Sequence, residues 1–150
     1  MKESLDSAKE ELKRVDHLIY VSLKYTRTVD VLISIIERMI NAYGNIVDVL
    51  IKYAVKTKKI KHAPGTNYLK AEEVKKIYND PQVKDNVDFY LLLRKLKTAE
   101  YIKSNEYRRH VTMTAIVEGK EINIDIDNIT EYYKNIQEFI KYVEEMIEKK

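Results

Sequence analysis

Apolar residues recur at helical spacing over most of this chain, and one late stretch breaks that rhythm in favour of strict alternation. Residues 4–25 carry Leu5, Ala8, Leu12, Val15 and Ile19 at steps of three and four. That spacing predicts an amphipathic helix with Lys9, Lys13, Arg14 and Asp16 on its wet side. Ser4 is its expected N-cap. Residues 28–57 are apolar nearly all round. Their polar positions (Asp30, Ser34, Glu37, Asn41, Asn45, Asp48 and Lys52) keep one helical phase straight through Gly44. A single long helix of roughly 45 Å is predicted. Gly44 costs about 1 kcal/mol there against Ala, which marks a kink or a close helix contact. So narrow a polar strip demands cover from more than one side. The helix is either the centre of a bundle or half of a dimer interface.

Residues 58–67 read as a loop, with Pro64-Gly65 suited to the middle of a type II turn. A short helix is expected at about 69–79, with Leu69, Val74, Ile77 and Tyr78 apolar. Asp80 then caps another helix that opens on Pro81 and runs to roughly Ile102, with Phe89, Leu92, Leu93, Leu96 and Ala99 toward the core. Over 108–127 the period changes to two. Glu118-Gly119 reads as a two-residue hairpin turn. Pairing outward from it sets Ala115 opposite Ile122, Met113 opposite Ile124 and Val111 opposite Ile126. The other face then pairs Thr114 with Asn123, Thr112 with Asp125 and His110 with Asp127. Asn128 and Glu131 resemble a capping box that opens a last helix, whose stripe is Ile129, Tyr132, Ile136, Phe139, Val143 and Met146. The whole predicts a mostly α fold: a single helical bundle of four to five helices, with one β-hairpin (about 108–127) before the C-terminal helix. Residues 1–150 are expected to form one helical domain.

Composition sharpens this picture. Hydrophobic residues make up 45% of the 150 residues, which excludes wholesale disorder. With 3 Gly and 2 Pro, turns are few and elements long. The absence of Cys removes disulfides, thiolate metal sites and Cys nucleophiles, and fits a reducing, cytoplasmic setting. The charged first residues carry no apolar core of a signal peptide. The apolar run 29–55 is broken by Asp30, Glu37, Arg38, Asp48 and Lys52, so no membrane span and no membrane partner are expected. Abundant Lys, Glu and Ile point to a thermophile source, or equally to an AT-rich genome.

Charge is where a function first shows. The chain nets only +3. Yet Lys52, Lys56, Lys58, Lys59, Lys61 and Lys70 fall in 52–70 without one acid, and Arg94, Lys95, Lys97, Lys103, Arg108 and Arg109 fall in 89–117. Joined in space, these stretches would form one basic face for a polyanion. The loop lysines Lys58, Lys59 and Lys61 with His62 could meet phosphates, though solubility alone accounts for them. The run Tyr101–His110 sets Arg108 and Arg109 beside Tyr107, a fork for phosphate next to a ring for a base. Hairpin alternation offers the plainer account that Arg108 and His110 face solvent and pair with Asp125 and Asp127. Arg94 joins this set on the helix before it.

Other chemistry is poorly served. His17, His62 and His110 form no metal pattern, and His110 with Asp127 is more simply a surface pair than a general base. Asp30, Glu37 and Asp48 lie too far apart on one helix to clamp an ion. Tyr25, Tyr43, Tyr53, Tyr90 and Tyr132 read as rim-of-core residues, while Tyr68, Tyr101 and Tyr107 lie near the basic segments. Gly44, Gly65 and Gly119 cannot write a phosphate-loop fingerprint, so no cofactor is expected.

A charged, mostly helical chain with a long central helix and a basic late helix resembles HEPN domains over about residues 1–110. The resemblance implies a microbial helical bundle, often dimeric, with ribonuclease activity in many members. The family's catalytic Arg, followed a few residues later by His, is not present. Lys56 before His62 and Lys103 before His110 hold that spacing with lysine, which lacks the planar fork. No catalytic residue is therefore nominated. Three readings stand at this point: a protein that binds RNA or single strands through a basic face, a homo-oligomeric interaction or scaffold protein, and a HEPN-like ribonuclease.

Overall fold

The long apolar segment decides the architecture, because it must be covered on every side. In the computed structural model, which describes residues 1–148, it forms helix α2, Val29–Lys56, with 15 buried residues. Four other helices supply the cover. Helix α1 comprises Lys2–His17, a π turn Leu18–Ser22 and a last turn Leu23–Tyr25. Helix α3 is Asn67–Ile77, α4 is Pro81–Thr98 and α5 is Ile126–Glu148. All four pack on α2. The chain thus buries its own long helix, and the reason for expecting a dimer through α2 falls away. Gly44 interrupts nothing: a Cβ there would stand 3.5 Å from the Tyr90 hydroxyl of α4, an ordinary contact, so neither a kink nor a close helix approach explains the glycine.

Strands β1 (Glu100–Ser104), β2 (Thr112–Val117) and β3 (Lys120–Asp125) form an antiparallel meander in the order β1-β2-β3. Sheet and bundle share one core through Met113, Ala115 and Ile124, all buried. The mostly α fold with a β element before the C-terminal helix is as expected, but the sheet has a third strand. Helix α4 stops at Thr98, and the residues expected to extend it to Ile102 are β1 instead. Its side chains are exposed on both faces apart from half-covered Ser104, so no apolar alternation announces it.

The inner rungs of the hairpin match the expected register: Ala115 with Ile122, Met113 with Ile124, Thr114 with Asn123, and Thr112 with Asp125. Glu118 (φ 51°) and Gly119 (φ 78°) both take positive φ, as a type I′ turn requires. Gly119→Val is expected to destabilise the fold by about 1 kcal/mol, read as a lower melting temperature. An unchanged melt would refute this turn geometry. The outer rungs Val111–Ile126 and His110–Asp127 do not form. Asp125 ends β3 by accepting the Asn128 N–H at 2.8 Å, so α5 begins at Ile126 and the expected Asn128–Glu131 capping box is not the cap.

Three local expectations also fail for physical reasons. Ser4 is not a cap: it lies inside α1, buried, and its hydroxyl donates to Asp48 at 2.6 Å. Gly65 lacks the positive φ of a type II turn; the left-handed residue there is Lys58 (φ 63°). It closes α2 through Lys58 N–H to Val55 O at 3.1 Å and Lys59 N–H to Ala54 O at 2.9 Å, the paired bonds of a Schellman motif. On α4, Leu93 and Leu96 are buried as expected, but Val83, Val87 and Tyr90 fill the core where Phe89 and Leu92 are only partly covered. Thr66 and Asp80 cap α3 and α4 with their side chains. Among the described residues, no helix is long and apolar enough to cross a membrane.

The polar stripe of α2 is largely exposed, and its carboxylates form a ladder of surface ion pairs. Asp48 meets Lys70 of α3 at 3.2 Å, Glu37 meets Lys97 of α4 at 3.8 Å, and Asp30 meets Lys103 of β1 at 3.5 Å. Each carboxylate of the stripe thus faces a different later element.

Candidate nucleic-acid interface

The nominated residues divide into three places. Lys58, Lys59, Lys61 and His62 lie just beyond the C-terminus of α2. Lys58 closes that helix, and the Lys59 ammonium sits 5.2 Å from the centre of the Tyr78 ring. Lys61 and His62 are exposed. Arg94 lies on α4, where its Nη1 donates to the Tyr90 hydroxyl at 3.2 Å. That puts it near Gly44, midway along α2. Tyr107, Arg108 and Arg109 belong to the β1–β2 loop, which docks on the N-terminus of α2. A 28-residue helix is about 42 Å long. The lysine loop and the arginine loop therefore occupy opposite ends of the molecule, and the single basic face expected from sequence does not form.

The arginine end is the more elaborate. Two contacts pin its loop. The Glu106 carboxylate accepts the Val29 N–H at 2.9 Å, satisfying a free donor at the start of α2. The Tyr107 N–H donates to the Arg27 carbonyl at 2.6 Å. On either side of Glu106 the backbone is left-handed: Asn105 has φ 55° and Tyr107 φ 68°. Such left-handed angles cost an ordinary side chain about 1–2 kcal/mol. Yet Tyr107 is 77% exposed, so its ring gains nothing from packing.

The loop stands beside the end of α1, and here the sequence reading missed several residues. The π turn adds a residue to the helix path; Tyr20 and Val21 within it and Tyr25 beyond it face outward. Tyr25, expected at the rim of the core, is 79% exposed. A cleft of about 560 Å³ opens between this turn and α5, lined by Tyr20, Lys24, Arg27, Arg109, Asp127 and Lys134 among others. The Tyr20 ring stands edge-on to Tyr133, its centroid 6.4 Å away, as one wall. Arg109 donates to Asp127 at 2.8 Å, so it is His110's expected partner that Arg109 takes. Arg108 is exposed and makes no ion pair among the described residues. Lys103, by contrast, is committed: Asp30, and then Glu106, raise its ammonium pKa above the ordinary value. The signal for this site was the interleaved Lys24-Tyr25-Thr26-Arg27.

The remaining candidates are structural. Asp30, Glu37 and Asp48 are each engaged by a lysine, and among the described residues no three acidic or histidine side chains gather as metal ligands. The HEPN resemblance expected from the helical plan gains no active site from Lys56, His62, Lys103 or His110. No family model, no curated protein and no solved structure matches this chain.

Proposed function

We propose that this protein binds single-stranded nucleic acid, RNA or DNA, at the N-terminal end of α2. The observation that carries the reading is Tyr107: an exposed ring on a left-handed backbone, anchored by two hydrogen bonds and followed by Arg108 and Arg109. Strain kept in an exposed residue, with no packing in return, is the mark of a displayed side chain. Tyr107, Tyr25 and Tyr20 offer flat faces to bases; Lys24, Arg27, Arg108 and Lys134 offer charge to phosphates, and Arg109 would do so by exchanging Asp127 for one. Unstacked bases need such faces, which a duplex does not present.

The test is fluorescence anisotropy with a short labelled single strand across a salt series. Binding should weaken with salt, by about 0.7 log unit per decade for each phosphate contacted. Arg108→Ala with Arg109→Ala should flatten that slope by roughly one unit and leave the melting temperature unchanged. Replacing Lys58, Lys59 and Lys61 with Ala, at the far end of α2, should alter binding little. Absence of binding to any single strand at low salt ends the proposal.

A further inference from the structure

Arg94 belongs to neither basic end, and its surroundings call for a different ligand. It lines a cleft of about 780 Å³ between α3, α4 and the β2–β3 turn. Ile40, Leu91, Leu92 and Val117 give this cleft apolar walls, and half-exposed Tyr68 stands at its edge. Its other cations are committed. Lys75 meets Asp88 at 2.6 Å and Glu72 at 3.8 Å, Lys95 meets Glu118, and Lys97 meets Glu37 at 3.8 Å. The three acids that line the cleft (Glu72, Asp88 and Glu118) are those same partners. Among the described residues, Arg94 is the one cation of the cleft with no carboxylate within 4.0 Å.

Its guanidinium is also held ready. The head lies 5.6 Å from the centre of the Tyr90 ring, and Nη1 donates to the Tyr90 hydroxyl at 3.2 Å. That leaves the edge formed by Nε and Nη2, two parallel donors matched to the two oxygens of a carboxylate. We infer that this cleft binds a small amphipathic carboxylate, with its head on Arg94 and its apolar body along Leu91, Leu92 and Val117. The volume is that of a small-molecule site. A nucleic-acid strand is disfavoured, since only one cation is free. An acidic peptide is disfavoured, since its further carboxylates would meet Glu72, Asp88 and Glu118. The inference is independent of the nucleic-acid reading, which concerns the N-terminal end of α2, whereas this cleft lies beside its middle.

Sodium decanoate is a suitable probe, followed by calorimetry and by the methyl resonances of Leu91, Leu92 and Val117. Saturable one-site binding is expected, with Kd on the order of 10–100 µM. Arg94→Met keeps a helix-forming chain over Tyr90 and should weaken binding at least about tenfold. Arg94→Lys keeps the charge without the fork and should fall between. Decanol, which has the same chain and no charge, should bind at least about tenfold more weakly. A single-stranded oligonucleotide should not displace decanoate. No saturable binding, binding unchanged in a folded Arg94→Met protein, or displacement by the oligonucleotide would each overturn the assignment.

Discussion

Replacing Tyr107 with glycine is expected to make the fold more stable and its hold on single strands weaker. The two effects have separate causes. At φ 68° the tyrosine backbone sits where its Cβ crowds the following carbonyl, and glycine removes that crowding. Glycine also loosens the unfolded chain, which takes back part of the gain. A net stabilisation of roughly 0.5–1 kcal/mol remains, measurable by urea melts. Binding loses a stacking face worth about 1–3 kcal/mol per base, a fall of roughly 5- to 150-fold in affinity. Tyr107→Phe keeps the ring and the strain, and should change neither quantity much. A glycine variant that is less stable would show that the loop is not strained. Unaltered affinity would show that the ring does not touch the ligand.

Asp48→Asn is expected to cost about 2 kcal/mol near pH 7 and almost nothing near pH 2. Asp48 ties three elements together: it accepts from Ser4 of α1, from Lys52 on its own helix at 3.0 Å, and from Lys70 of α3. Partial burial pushes its pKa up, but these three hydrogen bonds outweigh burial and hold it down, from an ordinary 3.8 to about 2. The folded state therefore releases this proton more readily than the unfolded chain. The resulting stabilisation is complete above about pH 5 and is lost as pH falls through the folded value. Asparagine cannot follow that curve. Urea melts of both proteins at pH 7, 4 and 2 should show the gap between them closing. A gap that stayed constant with pH would mean the loss is one of shape rather than charge.

How far such features could be read beforehand depended on whether they were local. The α2 polar positions kept phase over seven residues, and a helix needs no other information. The hairpin register had two independent witnesses, the Glu118-Gly119 turn and the alternation on either side. Strand β1 had none, because an exposed edge strand buries too little to impose a period. The end of α1 was misread because the π turn shifts the helical phase, which sent Tyr25 outward. The candidate site was half legible: Tyr107, Arg108 and Arg109 stood out as a run, but their neighbours Lys24, Arg27 and Lys134 come from distant parts of the chain. The distance between the two basic segments is a property of α2's length and of which end each segment meets.

The ion-pair ladder along α2 also sets an order in time. After α2 ends, the chain turns back and descends beside it. Lys70 reaches Asp48 across 22 residues of sequence, then Lys97 reaches Glu37, and Lys103 reaches Asp30 across 73. The entropy of closing each loop rises with that separation. Among these three pairs, the one to Asp48 is therefore expected to form most easily and the one to Asp30, beside the docking site of the Tyr107 loop, to come latest. What assembles last can detach first. The loop that displays Tyr107 is then expected to open at a lower cost than the bundle beneath it, which hydrogen exchange of its amides would show as weaker protection.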